Sequence, residues 1–183
     1  MRIPLSDDCY LRLPEVDDAE ELYAVVVANR DYLAEWMPWA AGQTLERTDN
    51  FIRMTQRQVA EDNGFQALIV LHERIVGMVG FHNVEWEAET TTLGYWIAQE
   101  HQGRGIVTQA VEALVDHAFD EWKLHRVQIR AATGNTKSRS GMARLGFEQE
   151  GILREAEKVG GRFQDLVLYA RLAPADVAEK SGA

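Results

Sequence analysis

The segment TTTLGYWIAQEHQGRGIVTQAVEALVDHAFDEW, residues 90–122, limits the fold more than any other part of the chain. It opens as a short apolar, β-branched run of the kind that forms a strand. From Ile106 to Trp122, Val107, Ala110, Val111, Leu114, Val115, Ala118 and Phe119 recur at helical spacing. Between the two lies the turn Gln102-Gly103-Arg104-Gly105. Glycines let such a turn expose successive backbone N–H groups, and a helix start adds unpaired donors and the positive end of its dipole. The product is an anion cradle suited to phosphate or pyrophosphate, to which Thr108 can add a hydroxyl. A tight turn with a helix cap would use the same glycines. Neither reading is a P-loop, since G-x-x-x-x-G-K-[ST] is absent. A dinucleotide fingerprint fails as well, with Thr108 at its third glycine position.

The rest of the chain places this unit in a mixed sheet. YLRL alternates as a short strand, and PEVDDAEELYAVVVANRDYLAEW turns into a helix that Asp17 or Asp18 can cap. Pro38 and Gly42 break that helix, and another spans about Leu45 to Asp62. FQALIVL and RIVGMVGFHNV form a hairpin through His72-Glu73-Arg74. HRVQIRAA is a strand, and a helix containing Ser140 to Leu145 ends at Gly146. FEQEGILREAEK and FQDLVLYARL make an antiparallel pair across Gly160-Gly161. The order βαα–βββ–α–β–α–ββ describes one α/β or α+β domain over residues 1–173, with 174–183 as a short tail.

Charge narrows the partners. The 183 residues carry a net charge of −10, which argues against bulk binding to nucleic acid or an anionic membrane. Within residues 99–145 the balance reverses to +2, with Arg104, Lys123, Arg126, Arg130, Lys137, Arg139 and Arg144 against five acidic residues. A polyanion held at the glycine turn accounts for that reversal. Without an 18-residue apolar run or a signal-like N-terminus, the expectation is a soluble cytoplasmic protein. The single cysteine, Cys9, sits in the alternating CYLRL and reads as a half-buried strand residue rather than a nucleophile. The histidines, His72, His82, His101, His117 and His125, are too scattered to suggest a metal.

LGYWIAQEHQGRGIVTQA, followed by ATGNTKSRSGMARLGFEQEGILREAE, resembles the GCN5-related N-acetyltransferases (GNAT), in particular the RimJ/RimL-like branch that acetylates ribosomal-protein N-termini. The likeness covers nearly the whole chain and is strongest from Thr91 to Leu172. It implies a largely antiparallel sheet of about six or seven strands, flanked by helices, whose central strands splay to form a slot for acetyl-CoA. Gln102 and Gly105 match the first and fourth positions of the family's Q/R-x-x-G-x-G/A pattern, and Val107 departs from its last. By the same resemblance the backbone of Trp96, Ile97 and Ala98 pairs with pantetheine amides. The loop Gln102, Gly103, Arg104, Gly105, Ile106, Val107 and Thr108 holds the pyrophosphate, and Asn135 and Ser138 form an N-x-x-S element beside the cofactor arm.

An amine attacking a thioester must lose a proton, the carbonyl oxygen must be stabilised, and the thiolate must leave. No metal is required. The resemblance assigns the base to Glu157, 19 residues beyond Ser138, and the acid or hydrogen-bond donor facing the thiol to Ser138. A solvated strand glutamate and a first-turn helix serine are the structural alternatives. The loop Trp36-Met37-Pro38-Trp39 is a candidate wall for the acceptor, and Glu85, Glu87 and Glu89 form an acidic turn suited to an amine or a solvated hairpin. The implied reaction moves acetyl to a primary amine, foremost a protein N-terminus. A small amine (polyamine, amino sugar or amino acid) and a noncatalytic acetyl-CoA-binding module are the alternatives, and a homodimer is compatible with the resemblance.

Overall fold

The computed structural model describes residues 1–175, so most of the expected tail at 174–183 lies outside the described residues. Strands β1 (Arg2–Ser6) and β2 (Cys9–Arg12) precede helices α1 (Ala19–Ala28), α2 (Arg30–Ala34) and α3 (Leu45–Ala60). Strands β3 (Gln66–Leu71), β4 (Arg74–Glu85) and β5 (Thr90–Ile97) lead into α4 (Ile106–Asp116). Strand β6 (Arg126–Ala132), helix α5 (Thr136–Arg144) and strands β7 (Glu148–Val159) and β8 (Arg162–Leu172) follow. All eight strands join one sheet in the order β1-β2-β3-β4-β5-β6-β8-β7. The strand beyond the expected six or seven is β1, whose RIPLS carries a proline and pairs only with β2, as an edge strand permits.

Two apolar cores cover the two faces of the sheet. On one, Ile106, Ala110, Val111, Leu114 and Val115 of α4 pack over Phe81, Leu93, Val127, Ile129 and Val167. On the other, Leu22, Val26, Leu33 and Ile52 from α1, α2 and α3 pack over Leu68, Ile75, Met78 and Trp96. Strand β4 is covered on both sides, which is why IVGMVGF is continuously buried instead of alternating.

The central feature is a fork. Strands β5 and β6 run parallel and pair only at Thr90↔Arg126, Thr91↔Val127 and Thr92↔Gln128. Beyond Thr92, β5 stays with β4 up to Ile97↔Gly77 and β6 stays with β8 up to Ala132↔Leu166. One backbone edge along Leu93–Ile97 therefore lacks a strand partner among the described residues and faces an open wedge.

Two local readings change. The helix expected from Ile106 to Trp122 is α-helical to Asp116 and then widens to a π turn over His117–Glu121. That turn sets Trp122 4.7 Å from the Phe81 ring and 5.5 Å from that of Phe65. Asp18 stands at the start of α1 without capping it. Its carboxylate instead takes both guanidinium nitrogens of Arg12 at 2.6 Å and the Glu15 N–H at 2.7 Å.

Candidate active site

The fork opens into a groove of about 2130 Å³ that crosses the sheet. Its floor on β5 comprises Leu93, Gly94, Tyr95, Trp96 and Ile97; Ile129 to Ala132 of β6 face them. At the end of β5 the chain turns through Gly103 and Gly105, both in the left-handed region with φ of 72° and 78°. Open space surrounds the position of a Cβ on either, so conformation and not crowding calls for glycine there. Gly105 stands at the start of α4. No side chain caps that end, no acidic residue sits in its first turn, and its carbonyl takes the Gln109 N–H at 3.0 Å. The first-turn N–H groups of Ile106, Val107 and Thr108 are left for a ligand, with the positive helix end behind them. Helix α5 differs: Asn135 caps it, its Oδ1 accepting from the Ser138 N–H at 3.1 Å.

Most of the expected residues converge here. Trp96, Ile97, Gln102, Gly103, Gly105, Ile106, Val107, Thr108, Asn135, Ser138 and Glu157 all line the groove. Two stand elsewhere. The side chain of Arg104 is exposed to solvent and does not line the groove. Ala98 borders a separate hollow beside α1, and its N–H already donates to the Val76 carbonyl at 2.8 Å.

The side chains are tied across the wedge. Gln102 donates to the Tyr32 hydroxyl from α2 and accepts from Lys137 Nζ at 3.4 Å from α5. Lys137 thereby brings a positive charge to the glycine turn. Ser138 Oγ and the Tyr95 hydroxyl lie 2.6 Å apart. Burial pushes the Tyr95 phenol above its ordinary pKa, the Ser138 bond opposes that, and Tyr32 adds to it, so the group keeps its proton. Glu157 Oε2 accepts from Gln164 Nε2 at 2.8 Å across the β7–β8 pair. Strand β7 bulges between Leu153 and Glu157, and Glu155 there adopts φ of 50° with its N–H on Asp165 Oδ1 at 2.8 Å. The bulge removes Arg154 to Ala156 from the regular β7–β8 ladder before pairing resumes at Glu157↔Gln164.

The Trp36-Met37-Pro38-Trp39 loop lines the groove. Trp86 lies away from it, edge-on to Trp122 at 5.6 Å, and its Nε1 donates to Asp62 O at 2.8 Å. Glu85 and Glu89 bracket the β4–β5 turn. The Glu89 carbonyl accepts the His125 N–H at 2.8 Å, a structural use of that turn. Cys9 is 2% exposed within β2, and burial pushes its thiol up. Among the described residues no cluster of His, Cys, Asp and Glu is placed to hold a metal ion, and no helix is long and apolar enough to cross a membrane.

The model of the acetyltransferase (GNAT) domain family matches residues 9–148. The chain belongs to the GNAT acetyltransferases. YdaF of Bacillus subtilis (strain 168), provisionally named a ribosomal N-acetyltransferase, is 38% identical over 170 residues, covering 92% of this chain and 93% of that protein. The ribosomal-protein-serine acetyltransferase of Escherichia coli (strain K12) is 27% identical over 173 residues, covering 93% and 96%. Among solved structures, a RimL ribosomal L7/L12 α-N-protein acetyltransferase in complex with coenzyme A superposes with a TM-score of 0.91 at 25% identity, covering 96% of this chain and all of that one. The microcin C7 self-immunity acetyltransferase MccE, bound to acetyl-CoA and AMP, superposes at 0.88 with 28% identity, covering 92% and 94%.

This GNAT domain is thus an acetyl-CoA-dependent N-acetyltransferase, and its residues fit that cosubstrate. The first turn of α4 and Lys137 offer donors and positive charge to a pyrophosphate. The free edge of Leu93–Ile97 offers backbone partners to an extended amide chain. When bound there, acetyl-CoA supplies a thioester carbonyl for an amine to attack. Tyr95 and Ser138 place two hydrogen-bonded hydroxyl groups at the wedge.

Proposed function

We propose that this acetyltransferase modifies the N-terminal α-amine of a protein, with ribosomal proteins as the first class to test. The supporting observation is the extent of the groove. It continues past the fork along Trp36, Trp39, Phe51 and Met54, a wall that a peptide can occupy and a small amine would leave uncovered. The names of YdaF, the Escherichia coli ribosomal-protein-serine acetyltransferase and RimL point the same way. In this reading Glu157 takes a proton from the incoming ammonium, and Ser138, supported by Tyr95, faces the leaving thiolate. A cytoplasmic location goes with such an acceptor. A homodimer is part of the same proposal, since among the described residues β7 leaves a sheet edge unpaired, with Ile152 exposed on it.

The test is acetylation from labelled acetyl-CoA of a panel of peptides with varied first residues, run beside polyamines, amino sugars and amino acids, with mass spectrometry locating the acetyl group. Label on peptide α-amines is expected. Efficient turnover of small amines alone, or label on lysine side chains alone, overturns the protein N-terminus as acceptor. Tight acetyl-CoA binding with no turnover of any amine would leave a binding module.

A further inference from the structure

The groove contains a titratable side chain besides Tyr95 and Glu157. His82, on β4, lines it on the face of the sheet that carries α1 and α3. Its imidazole lies against Gly94, one of the first residues of β5 beyond the last rung with β6: a Cβ at Gly94 would stand 2.5 Å from His82 Nε2. Any other residue at 94 would push the ring out of the base of the fork. The His82 carbonyl accepts from Gln58 Nε2 at 3.3 Å, while the ring has no hydrogen-bond partner among the described residues. His82 nevertheless remains solvent-accessible within the groove. Desolvation in the groove, and after it the charge of Arg130 on β6, push its pKa below the ordinary value, so the ring is neutral near pH 7.

The two faces of the fork thereby receive opposite proton equipment. By strand alternation Tyr95 lies on the α4 face, where it meets Ser138 of α5. Gly94 and Trp96 lie on the other face, with His82. Glu157 is paired with Gln164, which shares the parity of Leu166, a groove-lining residue. Donors thus stand on one side of the wedge, and two proton acceptors on the other.

We propose that His82 is a catalytic residue of the acetyl transfer, its imidazole taking the second proton that the acceptor nitrogen gives up as the C–N bond forms. An ammonium that becomes an amide loses two protons. The first leaves before attack, to Glu157, and frees the lone pair. The second becomes acidic only as nitrogen bonds to the carbonyl carbon, so a weak, neutral base suffices for it. The C–S bond then breaks, the sulfur keeps the electron pair, and it is protonated from the Tyr95–Ser138 side. One proton ends on the thiol and one in solvent, and no co-reactant is needed.

This inference rests on the acetyl-transfer reading of the groove but not on the identity of the acceptor. Its test therefore uses whichever acceptor the wild-type protein turns over, a peptide or a small primary amine. His82→Gln and His82→Ala are compared with wild type for kcat/KM, acetyl-CoA Kd and Tm. Both are expected to lose on the order of 100-fold in kcat/KM for the acceptor with Kd unchanged. Free imidazole is expected to restore His82→Ala and to leave Glu157→Gln unaffected. Wild-type turnover by His82→Gln would overturn the assignment. So would a loss in His82→Ala that imidazole does not repair while fold and acetyl-CoA binding are intact. Failure of wild type on peptides alone would instead count against the proposed acceptor.

Discussion

The Tyr95 hydroxyl and Ser138 Oγ are hydrogen-bonded at 2.6 Å, joining the middle of β5 to the first turn of α5. Asn135 fixes the other end of this arrangement by capping α5 through the Ser138 N–H. The Ser138 side chain is therefore free to face the groove while its backbone is held. Tyr95→Phe is expected to lower kcat about 10-fold, the value of one well-aligned hydrogen bond at the reacting centre. Acetyl-CoA affinity should change little. Steady-state kinetics with a direct binding measurement checks this, and Ser138→Ala combined with Tyr95→Phe should be no worse than Ser138→Ala alone.

Glu157 is positioned by Gln164, which donates to one carboxylate oxygen at 2.8 Å and leaves the other for an ammonium. Glu157→Gln should reduce kcat on the order of 100-fold or more while leaving the acetyl-CoA Kd near wild type. Gln164→Leu should show a smaller fall in kcat, because the carboxylate remains but loses its orientation. Equal kcat in wild type and Glu157→Gln with the true acceptor would remove Glu157 as the base.

The strand and helix pattern was legible because each segment states its own period. Val107 to Phe119 repeats at helical spacing, and the β3–β4 hairpin shows as two β-branched runs. The groove-lining glycines, Asn135 and Ser138 were reachable through the glycine-turn and N-x-x-S motifs, and Glu157 only through the family resemblance. What no local pattern carried were contacts between distant segments. Tyr95 and Ser138 are 43 residues apart, and Gln102 meets Tyr32 across 70. His82 appeared as one of several scattered histidines because only the tertiary fold sets it over Gly94. Asp18 combines the two: its carboxylate accepts the Glu15 N–H in a capping box at the turn leading into α1, as its local preference predicts, and also takes a bidentate ion pair from Arg12.

Gly105 makes a conformational demand on the cradle. At φ of 78° an alanine pays about 1–2 kcal/mol, and a β-branched residue more. Since a Cβ there meets nothing, the cost is relieved by rotating the backbone, which turns the first N–H groups of α4 away from the groove. Gly105→Val is expected to raise the acetyl-CoA Kd at least 10-fold, with a modest loss of Tm. Isothermal titration with acetyl-CoA checks this, and an unchanged Kd in a folded variant would rule against the cradle.

The Arg12–Asp18 pair should make stability depend on acid pH. Burial alone would raise the Asp18 pKa, but the Arg12 bonds, the Glu15 N–H and the Arg12 charge outweigh it, and the net displacement is downward from 3.8. A carboxyl whose folded pKa is depressed stabilises the fold fully above its unfolded pKa, and that stabilisation fades as pH falls through the folded value. Asp18→Asn is therefore expected to melt below wild type at neutral pH. The gap should shrink only as pH drops below about 4, where the wild-type carboxylate takes up its proton. Thermal unfolding of both proteins at several pH values between neutral and strongly acidic measures the gap. A difference independent of pH over that range would mean that lost packing, and not the ion pair, accounts for the effect.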